Sequence, residues 1–284
     1  MMLCAFLAGL VTIGVAVLMP GGESRNRPAL TPQGEPEAPA TVPPGTTHTS
    51  AKAVPAEVPN PLLAIVVDDN GYETTRDAEW LKFPEKITVA VIPFGPSSRR
   101  LAKAAHDRGF GVLIHAPMEP LSPISDRTDG YRFRRGMGRE EMEALLDRMV
   151  KENSWASGVS NHMGSAFTAD PESMATFAAL LKTRGLFFLD NMTTSRSVAV
   201  QAARKAGIPV ARRDVFFDAD MKPEEMRLQW KRALSIAKKK GKAVLVCHGR
   251  RESLREILDL VGDLETEGVR AVTLDELIAR EKSG

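Results

Sequence analysis

Short apolar runs alternate with amphipathic segments from residue 62 to the end of the chain. The run Leu62–Val67 is apolar at every position, a pattern typical of a parallel strand buried on both faces. Similar runs follow along the chain, and three weaker ones accompany them. The stronger runs are Ile87–Ile92, Phe110–His115, Leu186–Leu189 and Ala243–Cys247, and the weaker ones are Gly158–Ser160, Pro209–Ala211 and Val269–Thr273.

Helical periodicity fills the intervals between most of these runs. Apolar residues recur every three or four positions in six segments, which predicts six amphipathic helices. A glycine follows five of them, where a left-handed C-terminal cap is expected. The predicted helices are Ser97–Arg108, Arg139–Glu152, Pro171–Arg184, Arg196–Ala206, Pro223–Lys240 and Glu252–Glu267, and the glycines are Gly109, Gly185, Gly207, Gly241 and Gly268.

Regular alternation of strand and helix predicts an α/β fold with parallel strands inside and helices outside. About seven strands in about 220 residues favour a distorted or incomplete (β/α) barrel. An open doubly wound sheet is the competing architecture. In both, functional groups are expected just beyond the carboxyl ends of the strands. The chain contains neither GxGxxG nor GxxxxGK[ST], so no motif supports a nucleotide-binding fold.

The first 60 residues have a different character. Leu3 to Met19 carry no charge, and Pro20 to Pro61 contain ten of the 19 prolines. We interpret residues 1–19 as a signal anchor or signal-peptide-like segment, 20–60 as a disordered linker and 61–284 as the globular domain. This layout predicts an exported protein of the bacterial cell envelope, periplasmic and tethered to the inner membrane.

Composition excludes several classes of protein. The 284 residues carry a net charge of only +2, and the charged side chains are spread along the chain, so a nucleic-acid partner is not expected. The two cysteines, Cys4 and Cys247, exclude a disulfide scaffold and a cysteine-rich zinc module.

Carboxylates and histidines follow several predicted strands. Asp68 and Asp69 follow the first strand, and His115, His162 and His248 each end or follow another. The two aspartates suit a bound cation or a base beside a ligand, although Asp-Asp-Asn-Gly is also good turn chemistry. One aspartate and two histidines form a good shell for zinc or another divalent metal, with one position open for water.

Polar residues near these positions are candidates for supporting roles. Asn161 and Ser165 flank His162 and allow hydrogen bonding, and Asp190 is another carboxylate at a strand end. Arg213, Asp214 and Asp218 follow the sixth strand, where an internal Arg–Asp pair is as good an interpretation as catalysis. His48 and His106 are interpreted as surface residues.

Several motifs together resemble the divergent polysaccharide deacetylase family. In chain order they are IVVDDNGY, TVAVIPFG, HAPMEP, SNHMGS, FFLDNMTTSRS, RRDVFFD and LVCHGR, and the resemblance covers about residues 62 to 278. This resemblance implies a distorted (β/α) barrel of metal-dependent deacetylase ancestry.

The resemblance also implies roles for individual residues. Asp68 resembles the catalytic base, and Asp69 resembles a metal ligand. His115 corresponds to the first histidine of the family's metal pair, and His248 to the late histidine that acts as an acid.

One ligand position departs from the pattern of the related enzymes. Their second metal-binding histidine lies four residues after the first, and here that position is Glu119. Either His162 or Glu119 is therefore expected to supply the third ligand.

The expected function is metal-dependent removal of N-acetyl groups from an envelope polysaccharide by a monomeric domain, with a divalent metal, zinc above others, as cofactor. A non-catalytic protein that binds a glycan or an envelope partner on the same fold is the alternative. A different metallohydrolase, for example of phosphoesters, is a third hypothesis.

Overall fold

The computed structural model describes residues 60–281. Within this range the chain forms nine strands, nine α-helices and two short 3₁₀ helices. The strands are β1 (Leu62–Asn70), β2 (Thr88–Val91), β3 (Gly111–Met118), β4 (Gly158–Met163), β5 (Phe187–Asp190), β6 (Val210–Arg212), β7 (Val215–Phe216), β8 (Lys242–His248) and β9 (Arg270–Val272). The helices are α1 (Thr74–Trp80), α2 (Ser98–Asp107), α3 (Arg139–Glu152), α4 (Pro171–Thr183), α5 (Ala199–Ala206), α6 (Pro223–Lys240), α7 (Arg251–Leu260), α8 (Asp263–Thr266) and α9 (Leu274–Glu281).

The strands form one parallel sheet that curls into an incomplete barrel. Their order is β6-β5-β4-β3-β2-β1-β8-β7, and β9 pairs with the first residues of β1. Only Arg213 and Asp214 separate β6 from β7, so the two ends of this path must lie close together. Within residues 60–281 these two strands do not pair with each other, which leaves a seam in the barrel wall. The predicted incomplete barrel is confirmed, and the open doubly wound sheet is wrong.

Alternate residues of the strands divide between two cores. In β1, Leu62, Ala64 and Val66 belong to a cluster inside the barrel, whereas Ile65 and Val67 pack on the outside under the helices. Helix α9 adds three buried side chains to the interior cluster. Because successive side chains of a strand point to opposite faces, this division fixes which residues face the barrel interior.

The helices cover the outer face in two groups. Trp80 and Trp230, both fully buried, lie in the outer cluster beneath α1, α2, α6 and α7. Phe177 is central to the other cluster, where its ring meets those of Phe133 and Phe188 edge to face. Both outer layers support the strands whose carboxyl ends carry the polar residues.

Several element boundaries differ from the sequence predictions. The predicted helix 196–206 begins at Ala199, and the predicted helix 252–267 is divided into α7 and α8 near Gly262, a residue of low helix propensity. The short elements α1, α9 and β7 were not predicted. All five predicted glycine caps have left-handed backbones, with φ between 63° and 79°.

The predicted anchor (1–19) and linker (20–60) lie outside the described residues apart from Asn60, and both stay predictions. Among the helices between residues 60 and 281, none combines the length and apolar character that crossing a membrane requires.

Candidate metal centre

The barrel interior changes from apolar to polar at the carboxyl ends of the strands. On β1 the inward series that includes Val66 continues to Asp68. On β3 and β8, the inward residues Leu113 and Val246 are followed two positions later by His115 and His248. The same two-residue alternation that builds the core therefore directs these polar side chains to one end of the barrel.

A β-bulge lets two adjacent aspartates face the same cleft. Val67 pairs with Val89 and Asn70 with Val91, so that Asp68 and Asp69 together oppose a single residue of β2. Asp69 has a left-handed backbone with φ of 61°. A regular strand would direct neighbouring carboxylates to opposite faces, and the bulge removes this restriction.

The buried side chain of Asn70 stabilises the bulge through hydrogen bonds to its backbone. Its Nδ2 donates to the carbonyl oxygens of Val67 at 2.7 Å and Asp68 at 3.2 Å. The backbone N–H of Gly249 donates to the same carbonyl oxygen of Asp68 at 2.7 Å. A Cβ at Gly249 would lie 2.5 Å from Asn70 Oδ1, so glycine is needed for this close approach.

We expect Asn70→Leu to lower zinc affinity about 10- to 100-fold, because the bulge that orients Asp69 loses its hydrogen bonds. Competition with a chelator measures the affinity, and circular dichroism checks the fold. Asn153→Leu is the matched control, since Asn153 is equally buried but lies at the end of α3. A folded Asn70→Leu variant with unchanged affinity would contradict this role.

Asp69, His115 and His162 form a cluster of metal-ligating atoms. Asp69 Oδ1 lies 3.2 Å from His115 Nε2 and 2.8 Å from His162 Nδ1. One ligand atom from each residue lies within 4.8 Å of the others. One carboxylate and two imidazoles suit zinc or a similar divalent metal and leave a coordination position open, so the residues present fit such an ion.

The surroundings of His115 and Asp69 favour the protonation states in which these two residues bind a metal. Burial lowers the pKa of His115 to about 4, which keeps its imidazole neutral. His115 Nδ1 lies 2.8 Å from Ser160 Oγ, and this hydrogen bond fixes the ring. Burial alone would raise the pKa of Asp69, but the hydrogen bonds from His115 and His162 outweigh it and hold that pKa well below its usual range. Neutral imidazoles and an ionised carboxylate are the forms that bind metals.

Asp68 lies beside the cluster in a different environment. Its side chain is buried, and Oδ2 accepts a hydrogen bond from Asn191 Nδ2 at 2.7 Å. Its Oδ1 has no hydrogen-bond partner among residues 60–281, although it is buried. Burial, and next the charge of Asp69, raise the pKa of Asp68 well above its usual value. A buried oxygen with a free lone pair and raised basicity can accept a proton.

His248 faces the cluster from β8. Its Nδ1 lies 3.0 Å from Asp218 Oδ1, and its backbone N–H donates to Asp218 Oδ2 at 2.9 Å. The other ring nitrogen, Nε2, lies 3.8 Å from Asp69 Oδ2. Asp218 therefore fixes the ring, and Nε2 is the nitrogen available at the cleft.

Arg213 completes the wall of the cleft. Its Nε donates to the carbonyl oxygen of Asn191 at 2.7 Å, and its guanidinium stacks 4.2 Å from the ring centroid of Phe216. These residues line a cleft of 270 Å³ together with the cluster, Asp68 and His248. From the sequence, an internal Arg–Asp pair and a catalytic role were equally good interpretations of Arg213; the structure places it at the cleft.

The structure brings His162, and not Glu119, next to Asp69 and His115. The Glu119 carboxylate lies 2.9 Å from the guanidinium of Arg135 and accepts the backbone N–H of Arg135 at 2.7 Å. Glu119 thereby fastens the connection between β3 and α3 and lies outside the cluster.

The supporting candidates separate into two groups. Asn161 lines the cleft, and its Oδ1 accepts the backbone N–H of Asn191 at 2.9 Å. Ser165, Asp190 and Asp214 lie outside the cleft lining. Ser165 Oγ accepts the backbone N–H of Leu121 at 2.9 Å.

Asp190 and Asp214 hold backbone segments near the seam through hydrogen bonds. Asp190 accepts the hydroxyl of Ser197 at 2.7 Å and the backbone N–H of Met192 at 2.9 Å. Asp214 accepts the backbone N–H of Val244 at 3.0 Å.

Ser160 and Asn191 were not identified as functional residues from the sequence, and Asp218 was named there without a partner. Neutral polar residues beside a strand resemble ordinary loop residues. The available signal was strand alternation, because Ser160 lies two residues before His162 on the same strand and therefore on the same face.

Comparison with known proteins shows which family the chain matches. A family profile described as divergent polysaccharide deacetylase matches residues 65–278. The uncharacterized protein YibQ of Escherichia coli K12 is 35% identical over 204 residues, which span 71% of this chain and 63% of that protein. An uncharacterized protein of Haemophilus influenzae is 33% identical over 220 residues, 78% of each chain.

A solved structure shares the fold. The crystal structure of an uncharacterized protein of Agrobacterium tumefaciens aligns with a TM-score of 0.72 and 22% identity, covering 78% of this chain and 91% of that one. At this identity the likeness concerns the fold alone.

Proposed function

Because the chain belongs to the divergent polysaccharide deacetylase family, we propose that its barrel hydrolyses N-acetyl groups of an envelope polysaccharide at the metal centre. The observation that carries this proposal is the buried Oδ1 of Asp68, which has no hydrogen-bond partner among residues 60–281 and lies beside the Asp69–His115–His162 cluster. A proton acceptor next to a metal-ligand set with an open position is the arrangement that hydrolysis requires.

Asp69, His115 and His162 would hold a divalent metal such as zinc. When bound, the ion supplies Lewis acidity that polarises the acetyl carbonyl. The protein contributes the orientation of the ligands, through Ser160 on His115 and through the bulge at Asp69.

Asp68 would act as the general base. It accepts a proton from the attacking water, whose oxygen forms the new bond to the acetyl carbon. Its raised pKa makes the carboxylate a stronger proton acceptor than an exposed aspartate. The hydrogen bond from Asn191 leaves Oδ1 as the free acceptor.

His248 would act as the general acid. When the carbon–nitrogen bond breaks, its Nε2 donates a proton to the departing amine nitrogen, and the products are acetate and the free amino sugar. Asp218 holds Nδ1, so the ring cannot turn its second nitrogen toward the cleft.

The proposal also includes the cellular location of the protein and its partners. The apolar segment 1–19 and the proline-rich segment 20–60 support an extracytoplasmic domain tethered to the inner membrane, where an N-acetylated polysaccharide is accessible. The small net charge agrees with the absence of a nucleic-acid partner. The proposed substrate is a carbohydrate, and the proposed catalytic domain is monomeric.

The direct test is acetate release by the full-length chain. We expect the zinc-loaded protein to release acetate from an N-acetylglucosamine oligomer and to lose this activity when a chelator removes the metal. p-Nitrophenyl phosphate serves as the control substrate. Glycan binding without acetate release would favour the non-catalytic alternative, and release of p-nitrophenol alone would favour a phosphoesterase.

A further inference from the structure

Six basic side chains extend from the edge of the metal centre along the seam between β6 and β7. They line three adjoining depressions, the first of which is the metal cleft itself. We call this set the basic seam. It consists of Arg204, Arg212, Arg213, Arg232, Lys240 and Lys242.

The depressions share their walls. Arg213 and Phe216 line both the metal cleft and a second depression of 450 Å³. Met192, Arg212 and Asp214 line both this second depression and a third one of 520 Å³. A polymer with one unit at the metal centre can therefore reach the basic seam with its neighbouring units.

The acidic residues among these basic side chains already have partners. The carboxylates of Asp190 and Asp214 accept the hydrogen bonds described above, and Asp214 Oδ1 also lies 3.3 Å from Nζ of Lys240, a member of the basic seam. The guanidinium groups of Arg204, Arg212 and Arg232 are exposed, and within residues 60–281 they make no ion pair and no hydrogen bond. These cations are available to a ligand.

The net positive charge of the domain is concentrated in the basic seam. Residues 62–284 contain 35 basic and 32 acidic residues, a net charge of +3. Among residues 60–281, the two outer depressions are lined by six basic residues and only two acidic ones. The remaining surface is close to neutral, so the positive potential lies beside the metal centre.

We propose that the basic seam binds anionic groups of the polysaccharide while a neighbouring N-acetylated sugar lies at the metal centre. This inference rests on the proposed function and names its substrate class, an acidic glycan that carries carboxylate or phosphate groups. Arginine suits both groups, because its planar guanidinium can donate two parallel hydrogen bonds to one oxyanion.

The test measures binding by titration calorimetry with the full-length, metal-loaded chain. The acidic probe is a hyaluronan tetrasaccharide, in which N-acetylglucosamine alternates with glucuronate, and the neutral probe is its methyl ester. We expect the wild type to bind the acidic probe more tightly, and added salt to weaken only this binding. In Arg212→Gln/Arg232→Gln, the Kd for the acidic probe rises about 2- to 30-fold and that for the neutral probe is unchanged.

The matched control removes the same charge elsewhere. Arg139→Gln/Arg255→Gln replaces two exposed arginines on α3 and α7, and we expect it to leave both Kd values unchanged. In a parallel arm, an N-acetylglucosamine tetramer carrying phosphate esters replaces hyaluronan. The larger arginine-dependent change identifies the group that the basic seam prefers.

The outcomes separate this inference from the proposed function. Arginine-dependent binding of an acidic probe without acetate release supports the basic seam and contradicts the deacetylase. Acetate release with Kd values that do not depend on the two arginines supports the deacetylase and overturns the basic seam. Equal affinity of the wild type for acidic and neutral probes, or binding of no probe, also overturns it.

Discussion

We expect Asp68→Asn to lower the rate of acetate release about 100- to 10,000-fold while zinc remains bound. Asparagine keeps the shape of the side chain and its contact with Asn191, but it cannot accept a proton from water. The measurement combines acetate release by the full-length chain with metal analysis of the same sample.

The neighbouring substitution provides the matched comparison. We expect Asp69→Asn to weaken zinc binding, because the carboxylate between His115 and His162 loses its negative charge. Asp68→Asn is thus expected to lose activity while the metal is retained, whereas Asp69→Asn is expected to lose the metal. If both variants lose metal equally, Asp68 is a ligand and not the base.

The second large expected effect is on zinc affinity, and it concerns the third metal ligand. We expect His162→Ala to lower zinc affinity by more than about 100-fold, because only two protein ligands remain in the cluster. Glu119→Ala should leave the affinity unchanged, since the Glu119 carboxylate is bound to Arg135. Chelator competition measures both values.

A distant histidine serves as the control for this comparison. His106 is exposed on α2, and its replacement by alanine should not change zinc binding. A Glu119→Ala variant that loses zinc while His162→Ala keeps it would reverse the assignment of the third ligand.

The sequence predicted the barrel because its strands are buried on both faces. Runs such as Leu62–Val67 and Ala243–Cys247 are apolar at every position, and the alternation with helices leaves few parallel arrangements. The predicted boundaries were less accurate where pairing between strands decides them. The strand predicted to end at Val67 continues to Asn70, because pairing with β2 and β8 extends it into polar residues.

The candidate site was also predicted in part. His115 and His248 were identifiable because each ends an apolar strand, and parallel strands bring their carboxyl ends to one edge. The choice between Glu119 and His162 stayed open, since the sequence does not show that Arg135 binds Glu119.

By itself, the sequence determined the order of strands and helices and the polar residues at the strand ends. These features depend on local periodicity, which is set by residues close together in the sequence. Only the tertiary structure decided which polar residues meet. Asp218 reaches His248 across 30 positions, and Asn191 reaches Asp68 across 123. Such contacts, like the bulge that turns Asp69 toward His162, depend on strand register and on the curvature of the sheet, and these are set by packing of the whole barrel.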